Sequence, residues 1–217
     1  LEQFRADVSI RVGDLSGLAR PVLNVDTQFH LGPEGIRIDT ARAENERGGV
    51  SSLTGELVEN ANGTPAVSIR VDGADLVLGI PKAPSEDITT LPSYTVKVRL
   101  KGAGQTTREL AASLDGYINV TMGEGKVLNA GLDRITNSFL QELSSALNPF
   151  QEAQESTNIN CAAAFSAINE GQLTGKPAVV VDTPNVKIFA DAAADFASEK
   201  IQVQFKTVPQ KGLGLSM

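Results

Sequence analysis

Residues 157–209 read TNINCAAAFSAINEGQLTGKPAVVVDTPNVKIFADAAADFASEKIQVQFKTVP, and this stretch decides the fold. Ile159, Cys161, Ala163, Phe165 and Ala167 alternate with small or polar residues, the period of a half-buried strand. Asn169-Glu170-Gly171 supplies turn chemistry, with a glycine free to take positive φ. An apolar run at 178–181 follows, then a second turn at Asp182-Thr183-Pro184-Asn185. Ile201, Val203 and Phe205 alternate with Gln202, Gln204 and Lys206 as a final strand. The stretch is a β-meander with one apolar side and no catalytic constellation.

Upstream the same rhythm recurs. Phe4, Ala6, Val8, Ile10 and Val12 alternate with Arg5, Asp7, Ser9 and Arg11, and Leu23, Val25, Thr27, Phe29 and Leu31 with Asn24, Asp26, Gln28 and His30. Turns at 32–35, 48–49 and 60–65 punctuate further strands. Short strands at this spacing indicate antiparallel all-β structure. Residues 81–92 (PKAPSEDITTLP) are proline-flanked, acidic and aperiodic, so they read as a linker. They divide a β region at 1–80 from a second at 93–217.

In the second region, Tyr94, Val96, Val98 and Leu100 alternate with Thr95, Lys97, Arg99 and Lys101, giving a strand with a basic outer face. That face reads as solvated, with contact to anionic lipid head groups as its functional alternative. Thr106 lies three residues before Glu109, a capping-box pattern that opens a short helix over about 106–114. Residues 118–122 and 126–128, around Gly123-Glu124-Gly125, read as a hairpin. Leu132, Ile135, Phe139, Leu143 and Leu147 recur at helical spacing, predicting an amphipathic helix over about 132–147. That stripe packs against the sheet, or serves as a plug or lid over an open apolar groove.

Two blocks carry a resemblance to a family. The first is Cys161, Phe165, the turn at Gly171, Asp182-Thr183, Ala194-Asp195-Phe196 and the strand at 201–205. The second is the strand ending in Gly102, Arg108-Glu109-Leu110-Ala111, Leu114-Asp115-Gly116 and the turn at 123–125. Together they resemble AsmA-like proteins over residues 93–217, and more loosely over the remainder. One departure is alanine at 190 and 192, where the family tends to place glycine. The resemblance implies a periplasmic protein of Gram-negative envelopes, tethered to the inner membrane by an anchor preceding Leu1. It further implies a hydrophobic β-groove that carries phospholipids in support of outer-membrane homeostasis, without catalysis.

Composition narrows the partners. Nineteen Lys and Arg against 26 Asp and Glu give a net charge of −7, which repels a phosphate backbone and argues against nucleic acid. The absence of Trp and the presence of two Tyr argue against a stacking surface for bases. One cysteine excludes an intramolecular disulfide and a Cys-rich zinc site, and no cofactor or metal is expected. In phase with Ile159 and Phe165, Cys161 is expected to be a packed core thiol rather than a nucleophile, since no basic group lies near it in sequence to activate it. His30, the single histidine, falls on a polar strand face with no second ligand beside it. Asp191 and Asp195 share a strand face at roughly 13 Å, beyond the roughly 5–9.5 Å of glycosidase carboxylates.

The fold expected is mainly β: a long curved antiparallel sheet or open β-groove with one amphipathic and one short helix. Phe4, Val8, Ile10, Val25, Phe29, Val96, Val98 and Phe165 are the candidates to line a groove for acyl chains. The function expected is phospholipid binding and conveyance between inner and outer membranes. The alternatives are a non-catalytic structural or assembly factor in outer-membrane biogenesis and, from a different class, a hydrolase.

Overall fold

The computed structural model describes residues 4–15, 21–77, 90–128 and 156–210. The strands are β1 (Ala6–Leu15), β2 (Val22–Gly32), β3 (Gly35–Asn45), β4 (Val50–Glu59), β5 (Pro65–Val77) and β6 (Ser93–Ala103). After helix α1 (Thr107–Ala112) come β7 (Asp115–Met122), β8 (Gly125–Leu128), β9 (Ser156–Ile159), β10 (Cys161–Asn169), β11 (Gln172–Asp182), β12 (Val186–Asp195) and β13 (Lys200–Pro209). Eleven of them form one sheet in the order β1-β2-β3-β4-β5-β6-β7-β10-β11-β12-β13, while β8 and β9 pair with each other. Every pairing is antiparallel, and the large sheet does not close on itself.

The turns explain the order. Each short connection folds the chain back beside the strand it has just left, so sequence order becomes sheet order. At the β10–β11 turn, Glu170 and Gly171 both take positive φ (49° and 71°), the two-residue loop whose twist matches its strands. Asn45 and Asn60 organise two others. The Asn45 side chain accepts from the Arg47 and Gly49 amides, and Asn60 from those of Asn62 and Thr64. Register shifts place bulges in β2, β3, β5 and β11, which bend and twist a ladder.

Helix α1 begins as expected. Thr106 is its N-cap, its hydroxyl accepting from the Glu109 amide at 3.2 Å, and Glu109 reaches back to the Gln105 amide at 2.8 Å. Ser113 then ties the helix to the end of β6: its hydroxyl accepts from Ala103 N at 2.8 Å and lies 2.7 Å from Ala103 O.

Two expectations change. The hairpin expected over 118–128 does not form: β7 lies between β6 and β10, and β8 pairs with β9. Residues 159–167 are not one strand, because Asn160 breaks the run and donates its amide to Asp182 O at 2.8 Å. Residues 81–92 join β5 and β6, which are adjacent strands of the one sheet, so the sheet runs on from the region before them to the region after. The amphipathic stretch with Leu132, Ile135, Phe139, Leu143 and Leu147 lies outside the described residues.

Candidate functional site

Residues opposite one another on paired strands project to the same face of a sheet. Following the register from strand to strand therefore sorts the side chains of all eleven strands. One cross-strand row reads Val8, Phe29, Ile38, Gly55, Ile69, Leu100, Gly116, Ile168, Leu173, Ala194, Ile201. No polar side chain interrupts it. A second row on the same face reads Gly73, Val96, Val120, Ala164, Val179, Ala190, Phe205. The opposite face carries the polar set, as in the row Asp7, His30, Arg37, Glu56, Ser68, Lys101, Asp115.

The apolar face is not a sealed core. Ile168 (5 %) and Ala190 (5 %) are buried on it, whereas Ile36, Leu57, Ile69, Val203, Phe205 and Ile201 (78 %) are exposed. Most of the remainder, including Val8, Phe29, Val98 and Ile118, is half-buried. A sandwich would bury these side chains almost fully against a second sheet about 10 Å away. Ten inter-strand spacings of about 4.8 Å make the face roughly 48 Å wide across the strands.

Comparison of the chain with protein-family models, curated proteins and solved structures finds no match.

Of the eight lining candidates, Val8, Ile10, Val25, Phe29, Val96 and Val98 share the apolar face. Phe4 precedes β1 and is exposed. Phe165 is on the other side: it opposes Asn119, in the register that sets Ala164 against Val120 on the apolar face. It is half exposed and packs against Tyr117, with ring centroids 6.4 Å apart. Cys161 falls on that same polar side and is exposed, not the packed thiol its phase with Phe165 suggested. The candidates also omitted Ile36, Ile38, Leu53, Ile69, Val71, Ile118, Val120 and Leu173, whose alternation on their own strands is the signal that would have added them.

The polar face is held by opposite charges. Arg99 donates to both carboxylate oxygens of Asp72 (2.6 and 2.8 Å) and to the carbonyls of Val71 and Val98. Arg70 also reaches Asp72, at 3.2 Å. The hydrogen bonds from Arg99 hold the Asp72 carboxyl below its usual range against an opposing desolvation, with a lesser contribution from Arg70. Glu44 is lowered likewise, first by Asn24 and then by Arg42. The basic strip of β6 thus has its middle member committed to Asp72. His30 bonds to Asp7 on this face. Among the described residues no group of three or more His, Cys, Asp and Glu is placed to hold a metal.

At one end the apolar face is covered. A Cβ on Gly102, which projects to this face, would lie 3.1 Å from Ser113 Oγ and 3.2 Å from Leu114 Cδ2, so α1 and the residues after it cross over the end of β6. The β10–β11 turn abuts the same helix: Gly171 donates to Leu114 O at 2.8 Å, and a Cβ there would sit 2.7 Å from Ala112 Cα. At the other end of the strands β8 pairs with β9.

Proposed function

We propose that this chain is a non-catalytic β-groove protein that binds the acyl chains of phospholipids and conveys them between the inner and outer membranes. The observation that carries the reading is the row of eleven apolar residues running from Val8 to Ile201 across every strand of an open sheet. A monomeric soluble protein rarely presents a contiguous apolar surface of more than a few hundred Å² unless something binds there. Strands of the large sheet are 8 to 13 residues long. At about 3.3 Å per residue they exceed the roughly 15 Å depth of one leaflet's hydrocarbon. Each methylene laid on such a surface gains up to about 0.8 kcal/mol over water, and an open trough lets the chain enter and leave without a covalent step.

The resemblance of residues 93–217 to AsmA-like proteins supports the same reading. It adds the periplasmic location, the inner-membrane tether and the role in outer-membrane homeostasis. The test is native mass spectrometry of the purified, folded chain. Co-purifying phospholipid, displaced by added detergent, is the expected result. A folded chain that carries no lipid and takes none from vesicles overturns the reading in favour of a structural or assembly factor.

A further inference from the structure

The apolar face offers only scattered hydroxyls such as those of Thr27 and Ser166 and little charge to recognise a lipid head, so a head group is better met at its margin. Beside α1 such a place exists. An open-sided cavity of about 450 Å³ lies between α1 and the β12–β13 turn. Its wall is apolar, formed by Ala111, Leu114, Phe196 and Ile201, and the last belongs to the apolar row. Its rim is charged, formed by Arg108, Glu199 and Lys200. Asp195 also borders it, but its carboxylate accepts from the Ala197 and Ser198 amides at 2.9 and 3.1 Å and so closes the turn. Arg108 and Glu199 face each other at 3.5 Å, with side chains 70 % and 77 % exposed. An ion pair that exposed is worth little and exchanges partners readily.

We infer that this cavity seats the head group of a zwitterionic phospholipid whose acyl chains lie on the apolar face; the inference rests on the lipid reading above. The phosphate takes Arg108 and Lys200, while the ammonium takes Glu199. Both halves of the Arg108–Glu199 pair are then repartnered by the ligand. A purely anionic head group would take Arg108 from Glu199 and leave that carboxylate beside a phosphate, a like-charge contact that disfavours binding.

The experiment incubates the purified 217-residue chain with vesicles of equimolar phosphatidylethanolamine and phosphatidylglycerol, re-isolates it and quantifies each bound lipid. Phosphatidylethanolamine should be enriched about two- to fivefold, the range expected of exposed charge pairs. Arg108→Glu should abolish the enrichment, and Glu199→Lys should turn it towards phosphatidylglycerol. The circular dichroism spectrum should stay unchanged in both, because both side chains are exposed. Lipids bound in vesicle proportions by the parent, or an enrichment that neither variant alters, overturns the head-group site and leaves the acyl-binding reading standing. A folded parent that binds neither lipid overturns both.

Discussion

Asp72 accepts hydrogen bonds from two guanidinium groups, and one of them, Arg99, is also held by two backbone carbonyls. Its folded pKa is depressed, with Arg99 the first cause. A depressed acid binds its proton more weakly in the folded state than in the unfolded one. Its contribution is therefore complete above the unfolded value of about 3.9 and is lost as pH falls through the lower folded value. Urea midpoints measured from pH 6 down to pH 2.5 should fall steeply below about pH 4 in the parent and more gently in Asp72→Asn. Equal slopes would show that the pair carries no pH dependence. At this scale the sequence was least decisive around Phe165. Between Cys161 and Ile168 only Ser166 is polar, so either phase of alternation leaves an apolar face. The bulky Phe165 suggested one phase; Ile168, buried at 5 % and opposite Gly116, belongs to the other. A slip of one residue inverts every side chain in a strand, and the register with β7 chose the phase.

Strands β6 and β10 turn that distinction into an experiment. Val98 is half-buried on the apolar face, and Phe165 is exposed on the polar one. Val98→Glu should abolish lipid co-purification while the sheet persists, since an open trough lets the carboxylate reach water. Phe165→Glu should leave both lipid and fold intact. Loss of lipid in both variants would mean that the two faces do not differ in function. Unfolding by Val98→Glu alone would point to a dry core, where an unpaired charge is not tolerated. One hydroxyl ties helix α1 to the end of β6. Ser113→Ala strips Ala103 N of its acceptor, so urea denaturation should show a loss of about 1–2 kcal/mol. The helix itself was legible from Thr106 and Glu109, because a capping box is local chemistry. The β8–β9 pairing was not: Gly125 and Ile159 are partners across 33 intervening positions, and nothing in either tetrapeptide names the other.

For the whole molecule, the open antiparallel sheet was legible because nearly every strand announces its own turn, and a meander needs no further information. Less legible was that the apolar faces of eleven strands fall on one continuous side, since that depends on bulges in β2, β3, β5 and β11 whose positions carry no clear sequence mark. A native protein with such a surface should bind an apolar dye such as anilinonaphthalene sulfonate without denaturant, and added phospholipid should compete the dye off. A native chain that leaves the dye dark would mean that the face is covered in solution.

The sheet order also has a mechanical consequence. Neighbours in the sheet are neighbours along the chain everywhere except between β7 and β10, which meet across residues 123–160. Contacts so local favour growth and loss one hairpin at a time, as in repeat arrays. Stretched from its two ends, such a molecule should fray rather than snap. A force trace should show a staircase of small, similar extensions as hairpins peel from the β1 and β13 edges. A single longer step should appear when β7 parts from β10 and releases the chain stored between them.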